Sequence, residues 1–446
     1  MTLAPDDIGR LLVALALLLS AAHGLGYVFT RFRQPRVIGE ILGGLLLGPT
    51  VFGALFPEFQ AAVFPADGSV PLVLDAIYQL GLLLLMFSAG VEIRAAFHAG
   101  ERRTVAWVSG VGTVLPFLAG LGLLAFLDLG RSRGPAATDA SFLLVFAIAI
   151  AVTSIPVISR IMLDLGILET SFARIVLAVA VIEDVILYVL LAIALGLAAR
   201  GFEPAYGLPG LLDLDASGGV AVVYHVVATL AFLGISLVVG PPVYRRVLRF
   251  RFNVVRRGSA IGFQLVFMFL ATAVAVFLGV VPLFGAFVAG IVVASSSAKG
   301  SAAAREEIKN FSFAFFIPIY FAIVGLRLDL VREFDLLFFL WFAAFACLAK
   351  SASVYLGARA ARESAATSMD LAIALNARGG PGIVLASVAL DAAIISETFY
   401  STLVLLAIVT SLAAGSWLGR AVRTGRPLRE EPSIATELPA AESDLS

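Results

Sequence analysis

The stretch Ile175-Val176-Leu177-Ala178-Val179-Ala180-Val181-Ile182-Glu183-Asp184-Val185-Ile186-Leu187-Tyr188-Val189-Leu190-Leu191 decides how this chain is read. Two adjacent carboxylates interrupt a run that is otherwise apolar enough and long enough to cross a bilayer. An ionised carboxylate at that depth is expensive, so it faces a partner or a water-filled cavity and marks a functional position. The rest of the chain reads as the apparatus that presents Glu183 and Asp184 to a cation and a proton.

Composition agrees with a membrane setting. Of 446 residues, 60% are hydrophobic and 14% charged, and the mean hydropathy is +1.01. The apolar residues recur in blocks of about 18 or more, the mark of an all-α polytopic membrane protein. A formal net charge of zero gives no case for nucleic-acid binding. Cys347 is the single cysteine, which excludes an internal disulfide and a cysteine-based metal cluster. His23, His98 and His225 have no metal-ligand spacing. The first residues are acidic on balance (Asp6, Asp7, Arg10), unlike a signal peptide, so Leu11–Val28 is expected to be a retained first helix.

Working outward, the span-length criterion places about thirteen membrane helices. They run roughly over 9–30, 36–56, 71–92, 104–128, 141–164, 172–199, 219–243, 260–279, 282–298, 310–328, 334–358, 366–391 and 397–419. An odd number puts the termini on opposite sides. Most of the 31 basic residues then fall on one side, including Arg31, Arg36, Arg102, Arg103, Arg245, Arg246, Arg249, Arg256, Arg257, Arg359, Arg420 and Arg423. The positive-inside rule therefore predicts an outside N-terminus and a cytoplasmic C-terminus. Lys350 and Arg378 fall inside predicted helices. The basic segment 244–259 reads equally as a topology signal or as a surface that meets anionic lipid. No soluble domain is expected after the last span, and the acidic tail 431–446 reads as disordered.

A faint internal repeat links two halves. Gly39-Glu40-Ile41-Leu42-Gly43-Gly44 in the second segment has the same five-residue glycine step as Gly285-Ala286-Phe287-Val288-Ala289-Gly290 in the ninth. The ends of the third and tenth segments also match, around Gly90 and Gly325. The fifth segment is interrupted at Thr153-Ser154-Ile155-Pro156 and the twelfth at Asn376-Ala377-Arg378-Gly379-Gly380-Pro381-Gly382. Each pair lies seven segments apart, so the two repeats would be inverted. Paired Gly/Pro-interrupted helices in inverted halves point to a transporter's midplane site.

Glu183 and Asp184 are about 100° apart around a helix, so they cannot face one spot. Burial and a neighbouring carboxylate disfavour a second negative charge, so proton uptake and cation binding compete on the same group. A structural salt bridge is the alternative for this pair. Thr153 and Ser154 offer hydroxyls and freed backbone oxygens suited to Na⁺, and the alternative there is a tolerated proline kink at Pro156. Lys350 needs an anion, either Glu183 or Asp184, unless it snorkels to an interface. Arg378 reads as neutralising exposed carbonyl ends in its own break. Glu40 reads as a solvated or loop-pairing residue, and His23 and His225 as interfacial ones.

These residues resemble the monovalent cation/proton antiporter superfamily, and within it the Kef-like cation/proton antiporter-2 family. The resemblance rests on Gln34-Pro35-Arg36-Val37-Ile38-Gly39-Glu40-Ile41-Leu42-Gly43-Gly44-Leu45-Leu46-Leu47-Gly48-Pro49, on Leu84-Leu85-Met86-Phe87-Ser88-Ala89-Gly90-Val91-Glu92, and on Gly285–Gly290. It implies one transporter domain over 1–430 with crossed broken helices. Its dimerisation part would cover about 9–92 and 260–328, its mobile core about 104–199 and 334–420, and its linker about 219–243. It further implies a homodimer and an elevator-like core movement. By the same resemblance, Asp184 is the ion-binding aspartate, Glu183 the variable residue before it, Thr153 and Ser154 the polar pair at the first break, and Lys350 the partner of Glu183. Asn376, Arg378 and Pro156 would support the breaks. Gly380 stands where many relatives carry glutamate, so a partner for Arg378 must come from elsewhere.

The expected function is secondary antiport of Na⁺ (or Li⁺) against H⁺ across a plasma membrane, with Asp184 carrying the transported Na⁺ and no cofactor. A K⁺/H⁺ exchanger is the alternative in the same class. An intramembrane aspartyl protease and a passive cation channel are more distant. The protease requires a Gly-x-Gly-Asp setting on a second helix, which the sequence lacks.

Overall fold

The computed structural model describes residues 4–32, 34–92, 101–124, 129–198, 207–211, 219–250, 253–295 and 301–429. The tail 431–446 and most of the joint 200–218 lie outside the described residues.

The helices that carry the fold are α1 (Pro5–Arg31), α2 (Arg36–Leu47), α3 (Ser69–Glu92), α4 (Arg102–Leu124), α5 (Asp139–Ala151), α6 (Ile155–Asp164), α7 (Ser171–Gly196) and α8 (Gly219–Arg249). They continue as α9 (Ala260–Phe277), α10 (Pro282–Ala294), α11 (Ser301–Leu326), α12 (Leu336–Ala360), α13 (Ala365–Ala374), α14 (Gly379–Asp391) and α15 (Glu397–Arg423). Local sequence sets many of the starts. Thr138, Thr170, Ser259, Asp335, Ser364 and Ser396 each accept a hydrogen bond from a first-turn backbone N–H of the helix they precede. Pro5 and Pro282 open α1 and α10, where a missing N–H costs nothing.

Among the described residues, 11 helices are long and apolar enough to cross a membrane, with Arg36–Leu55, Ser301–Leu326 and Ala365–Asp391 each taken as one span. The expected count of about thirteen is not confirmed by this criterion, and the two remaining expected segments correspond to shorter helices. The segment 141–164 is divided by its break into α5 of 13 residues and α6 of 10. The segment 282–298 is the 13-residue α10, which opens at Pro282 after the turn at Gly279 (φ +73°) and ends at Ala294.

Two groups of helices each pack among themselves. The first is α1–α3 with α9–α11, and the second is α4–α7 with α12–α15. α8 lies between the groups, against α7 of the second and against α10 and α9 of the first. Glycines permit the closest approaches within the first group. A Cβ on Gly44 would lie 1.7 Å from the Ala322 carbonyl oxygen, and one on Gly325 would lie 1.9 Å from that of Ile41, so α2 and α11 touch backbone to backbone. α3 and α10 repeat this geometry: a Cβ on Gly90 would lie 2.0 Å from the Phe287 oxygen and one on Gly290 2.2 Å from that of Phe87. The glycines matched in the sequence repeat thus make equivalent crossings.

Contacts between loops follow the alternation of spans. Asp75, Arg327 and Asp391 meet at one end. Glu101 meets Arg174, and Thr104 and Arg429 both meet Glu363, at positions belonging to the other end.

Candidate ion-binding site

α7 carries Glu183 and Asp184 at mid-helix, 0% and 2% exposed. Their surroundings differ. Glu183 Oε1 accepts hydrogen bonds from Lys350 Nζ at 2.7 Å and Thr113 Oγ1 at 3.1 Å. An ammonium has three protons. The other two donate to the carbonyls of Gly112 (3.0 Å) and Ala151 (2.7 Å), so Lys350 has none left for Asp184. Asp184 Oδ1 and Glu183 Oε2 are buried with no hydrogen-bond partner among the described residues. A buried carboxylate oxygen without a partner is costly, and a proton or a bound cation relieves that cost.

The two broken helices meet on this framework. α5 stops at Ala151, the chain is extended at Val152 and Ser154, and α6 begins at Ile155 with Pro156 in its first turn. The last four carbonyls of such a helix need outside donors. Ile148 is closed by the Val152 N–H at 2.9 Å. Arg378 donates from Nε to Ala149 (3.3 Å) and from Nη2 to Ile150 (3.0 Å), and Lys350 donates to Ala151. Two cations therefore sit at the negative end of α5, where the helix dipole favours them.

This places Arg378 differently from the expectation. It lies in the second break but serves mainly the carbonyls of the first, together with Ala346 on α12 at 2.9 Å. Its neighbour Asn376 accepts from it through the side-chain oxygen. Backbone oxygens of Ala149, Ile150 and Ala346 accept from the Arg378 side chain.

Thr153 and Ser154 tie the two breaks together. Thr153 Oγ1 donates to the Leu375 carbonyl at 2.6 Å, and the Ser154 N–H donates to the Ala377 carbonyl at 2.8 Å. Ser154 Oγ accepts from the N–H of Gly380 (3.1 Å) and of Val157 (3.4 Å), capping α14 and α6 at once. Gly379 must be glycine for this approach, since a Cβ there would lie 2.2 Å from Val157 Cγ2. Asn376 Nδ2 donates to Ser351 Oγ (2.9 Å) and the Cys347 carbonyl (3.3 Å), fastening the second break beside Lys350.

The structure thus joins Glu183, Lys350, Thr153, Ser154, Asn376 and Arg378 in one bonded framework, with Pro156 starting α6 and Asp184 left unpaired next to it. Thr113 and the Gly112 carbonyl were not picked out from sequence. The signal available was a hydroxyl beside a glycine within an apolar span. Glu40 is corrected: it is 3% exposed and paired at 3.0 Å with Arg36 one turn earlier, instead of being solvated. His23 is not a bare interfacial residue either, since its ring nitrogens contact Arg36 and the Ala314 carbonyl.

The family model described as "Sodium/hydrogen exchanger, transmembrane" matches residues 14–424. The chain belongs to the transmembrane sodium/hydrogen exchanger family. Among curated relatives, it is 27% identical to the Na(+)/H(+) antiporter NhaS4 of Synechocystis, over 91% of this chain and 96% of that protein. It is 28% identical to Cation/H(+) antiporter 17 of Arabidopsis thaliana and 30% identical to K(+)/H(+) antiporter 1 of Saccharomyces cerevisiae, over 90% and 86% of this chain. It spans about half the length of those two relatives, 47% and 43%. The fold is close to that of the sodium proton antiporter MjNhaP1 from Methanocaldococcus jannaschii at pH 8, with a TM-score of 0.63, 14% identity, and coverage of 94% of this chain and 99% of that one. These named relatives of the exchanger-family chain are transporters, not enzymes.

Proposed function

We propose that this exchanger-family chain is a secondary antiporter of the cation/proton antiporter-2 group, exchanging Na⁺ or Li⁺ for H⁺. Asp184 is the shared carrier, and Glu183 with Lys350 is the fixed pair beside it. One observation carries the reading: of two adjacent buried carboxylates, Glu183 is held by a lysine whose protons are all committed, while Asp184 makes no hydrogen bond or ion pair with a described residue. A single site that accepts either a proton or a cation is sufficient for exchange. In this proposal Thr153, Ser154 and backbone oxygens of the breaks exchange their present hydrogen bonds for the cation to complete its coordination.

The helices α1–α3 and α9–α11 form the dimerisation part in this proposal, α4–α7 and α12–α15 the moving core, and α8 the linker. The separate packing of the two groups supports that division. The chain then works as a homodimer in the plasma membrane, with its N-terminus outside and its C-terminus cytoplasmic. K⁺/H⁺ exchange is the second reading, favoured by the similarity to a relative named as a K(+)/H(+) antiporter.

Dye-monitored exchange in proteoliposomes with Na⁺, Li⁺ and K⁺ in turn tests both. Apparent cation affinity is expected to fall as pH drops, because protons compete for Asp184. Asp184→Asn is expected to abolish exchange with every cation, and exchange surviving in that variant would overturn the assignment.

A further inference from the structure

We propose that the end of α8 carrying Arg245, Arg246 and Arg249 is a binding site for an anionic phospholipid. α8 is the least enclosed of the apolar spans: 11% of its most apolar window is buried within the protein. Its final turns are two-faced. Tyr244 and Leu248 are buried, and Tyr244 packs on Phe263 and Phe267 of α9. On the opposite face Arg245, Arg246 and Arg249 are exposed. Arg245 Nε donates to the Pro241 carbonyl at 3.2 Å, whereas Arg246 and Arg249 make no hydrogen bond or ion pair with a described residue.

These guanidinium groups share a cavity of about 770 Å³ with the apolar side chains of Val239, Pro242 and Val243. A second cavity of about 350 Å³ lies on the other side of Arg245, against Ile291 and Val292 of α10. Pro241 lines the smaller cavity and Pro242 the larger. Neither has an N–H to donate one turn back. The result is an apolar wall at membrane depth that ends in three clustered positive charges.

That arrangement selects one class of occupant. Acyl chains fit the Val239 and Val243 wall, and a headgroup with net negative charge fits the arginines, which bind phosphate oxygens in a fork. A zwitterionic lipid brings no net charge to balance three cations. The site bears on movement because α8 touches α7 of one helix group and α10 of the other. Its part in transport rests on the proposed antiport, but its lipid binding does not.

The test is retention of phosphatidylglycerol against phosphatidylcholine by the detergent-purified full chain, read by native mass spectrometry. Wild type is expected to retain phosphatidylglycerol preferentially. Arg245→Gln/Arg246→Gln/Arg249→Gln together are expected to weaken retention on the order of a hundredfold, and Arg249→Gln alone by roughly fivefold. Arg420→Gln/Arg423→Gln, which removes exposed charge elsewhere, is expected to leave retention unchanged. Equal retention by wild type and both α8 variants overturns the proposal. So does an equal loss in the Arg420/Arg423 control, which would show a response to total charge only. In vesicles, phosphatidylglycerol is expected to raise the exchange rate of wild type and not of the triple variant. Retention without such stimulation would keep the lipid site and remove its role in exchange.

Discussion

At the scale of single residues, neighbouring carboxylates on one helix have separate fates. Glu183 is fixed through one oxygen by Lys350 and Thr113, and Asp184 makes no hydrogen bond or ion pair with a described residue. Lys350 does more than neutralise Glu183, because it also satisfies the carbonyls of Gly112 and Ala151. Breaking a buried ion pair from one side leaves an uncompensated charge and costs about 3–5 kcal/mol. Lys350→Ala is therefore expected to lower the thermal unfolding midpoint in detergent sharply. Glu183→Ala/Lys350→Met is expected to recover a substantial part of the loss, and a double variant as unstable as the single one would remove the ion pair as the cause. The lysine's need for an anion was legible from sequence, since it lies deep in an apolar run. Which of the two carboxylates answers it was left open by the residues alone, because a 100° step along α7 has meaning only once α12 is in place.

At the scale of elements, the crossed breaks and the glycine crossings set the frame. Each freed carbonyl at the end of α5 finds a donor, three of them from Lys350 and Arg378. In lipid such groups have no water to turn to. The glycine crossings are equally intolerant of change. Gly325→Val or Gly90→Val places atoms within about 2 Å of a facing carbonyl, so backbones must part. Overpacking of this kind typically costs about 1–3 kcal/mol. Both variants are expected to unfold at lower temperature than wild type, whereas Gly24→Ala, with no atom within 4 Å of its new Cβ, is expected to match it. Equal behaviour of the three would show that these crossings yield without cost. The repeat was visible as a pattern of glycines, and its purpose was not. A five-residue step in a helix does not say which carbonyl lies opposite.

At the scale of the whole molecule, the described ion pairs lie within one helix group or the other, with one exception. Arg327, at the end of α11, bonds Asp391 at the end of α14 at 2.7 Å and Asp75 of α3 at 3.3 Å. Tyr78 reinforces the bridge. Its hydroxyl donates to Asp391 at 3.2 Å, and its ring lies 4.5 Å from the Arg327 guanidinium carbon. If the second group moves against the first, as proposed, this contact is made and broken in each cycle. Arg327→Gln and Asp391→Asn are accordingly expected to change the turnover of exchange, measured in proteoliposomes, with apparent cation affinity held within about twofold. An unaltered turnover in both variants would show that the bridge does not resist the movement.

The sequence by itself determined the all-helical membrane architecture, the places of the two breaks and several of the side chains that gather around them, though not Thr113. Those features follow from hydropathy over span-length windows, from proline and glycine inside apolar runs, and from the cost of burying charge, all of which are local along the chain. Only the tertiary structure decided that Arg378 serves the carbonyls of the other break, that Ser154 caps two helices, and that Glu40 is buried against Arg36. It also decided that, among the described residues, eleven spans are full length, one is divided into α5 and α6, and one is the short α10. Glu40 pairs with Arg36 within α2, but its burial, like the placements of Arg378 and Ser154, depends on what lies opposite across a helix crossing. That is set by the joint packing of segments more than a hundred residues apart in several cases, and no single window of sequence contains it.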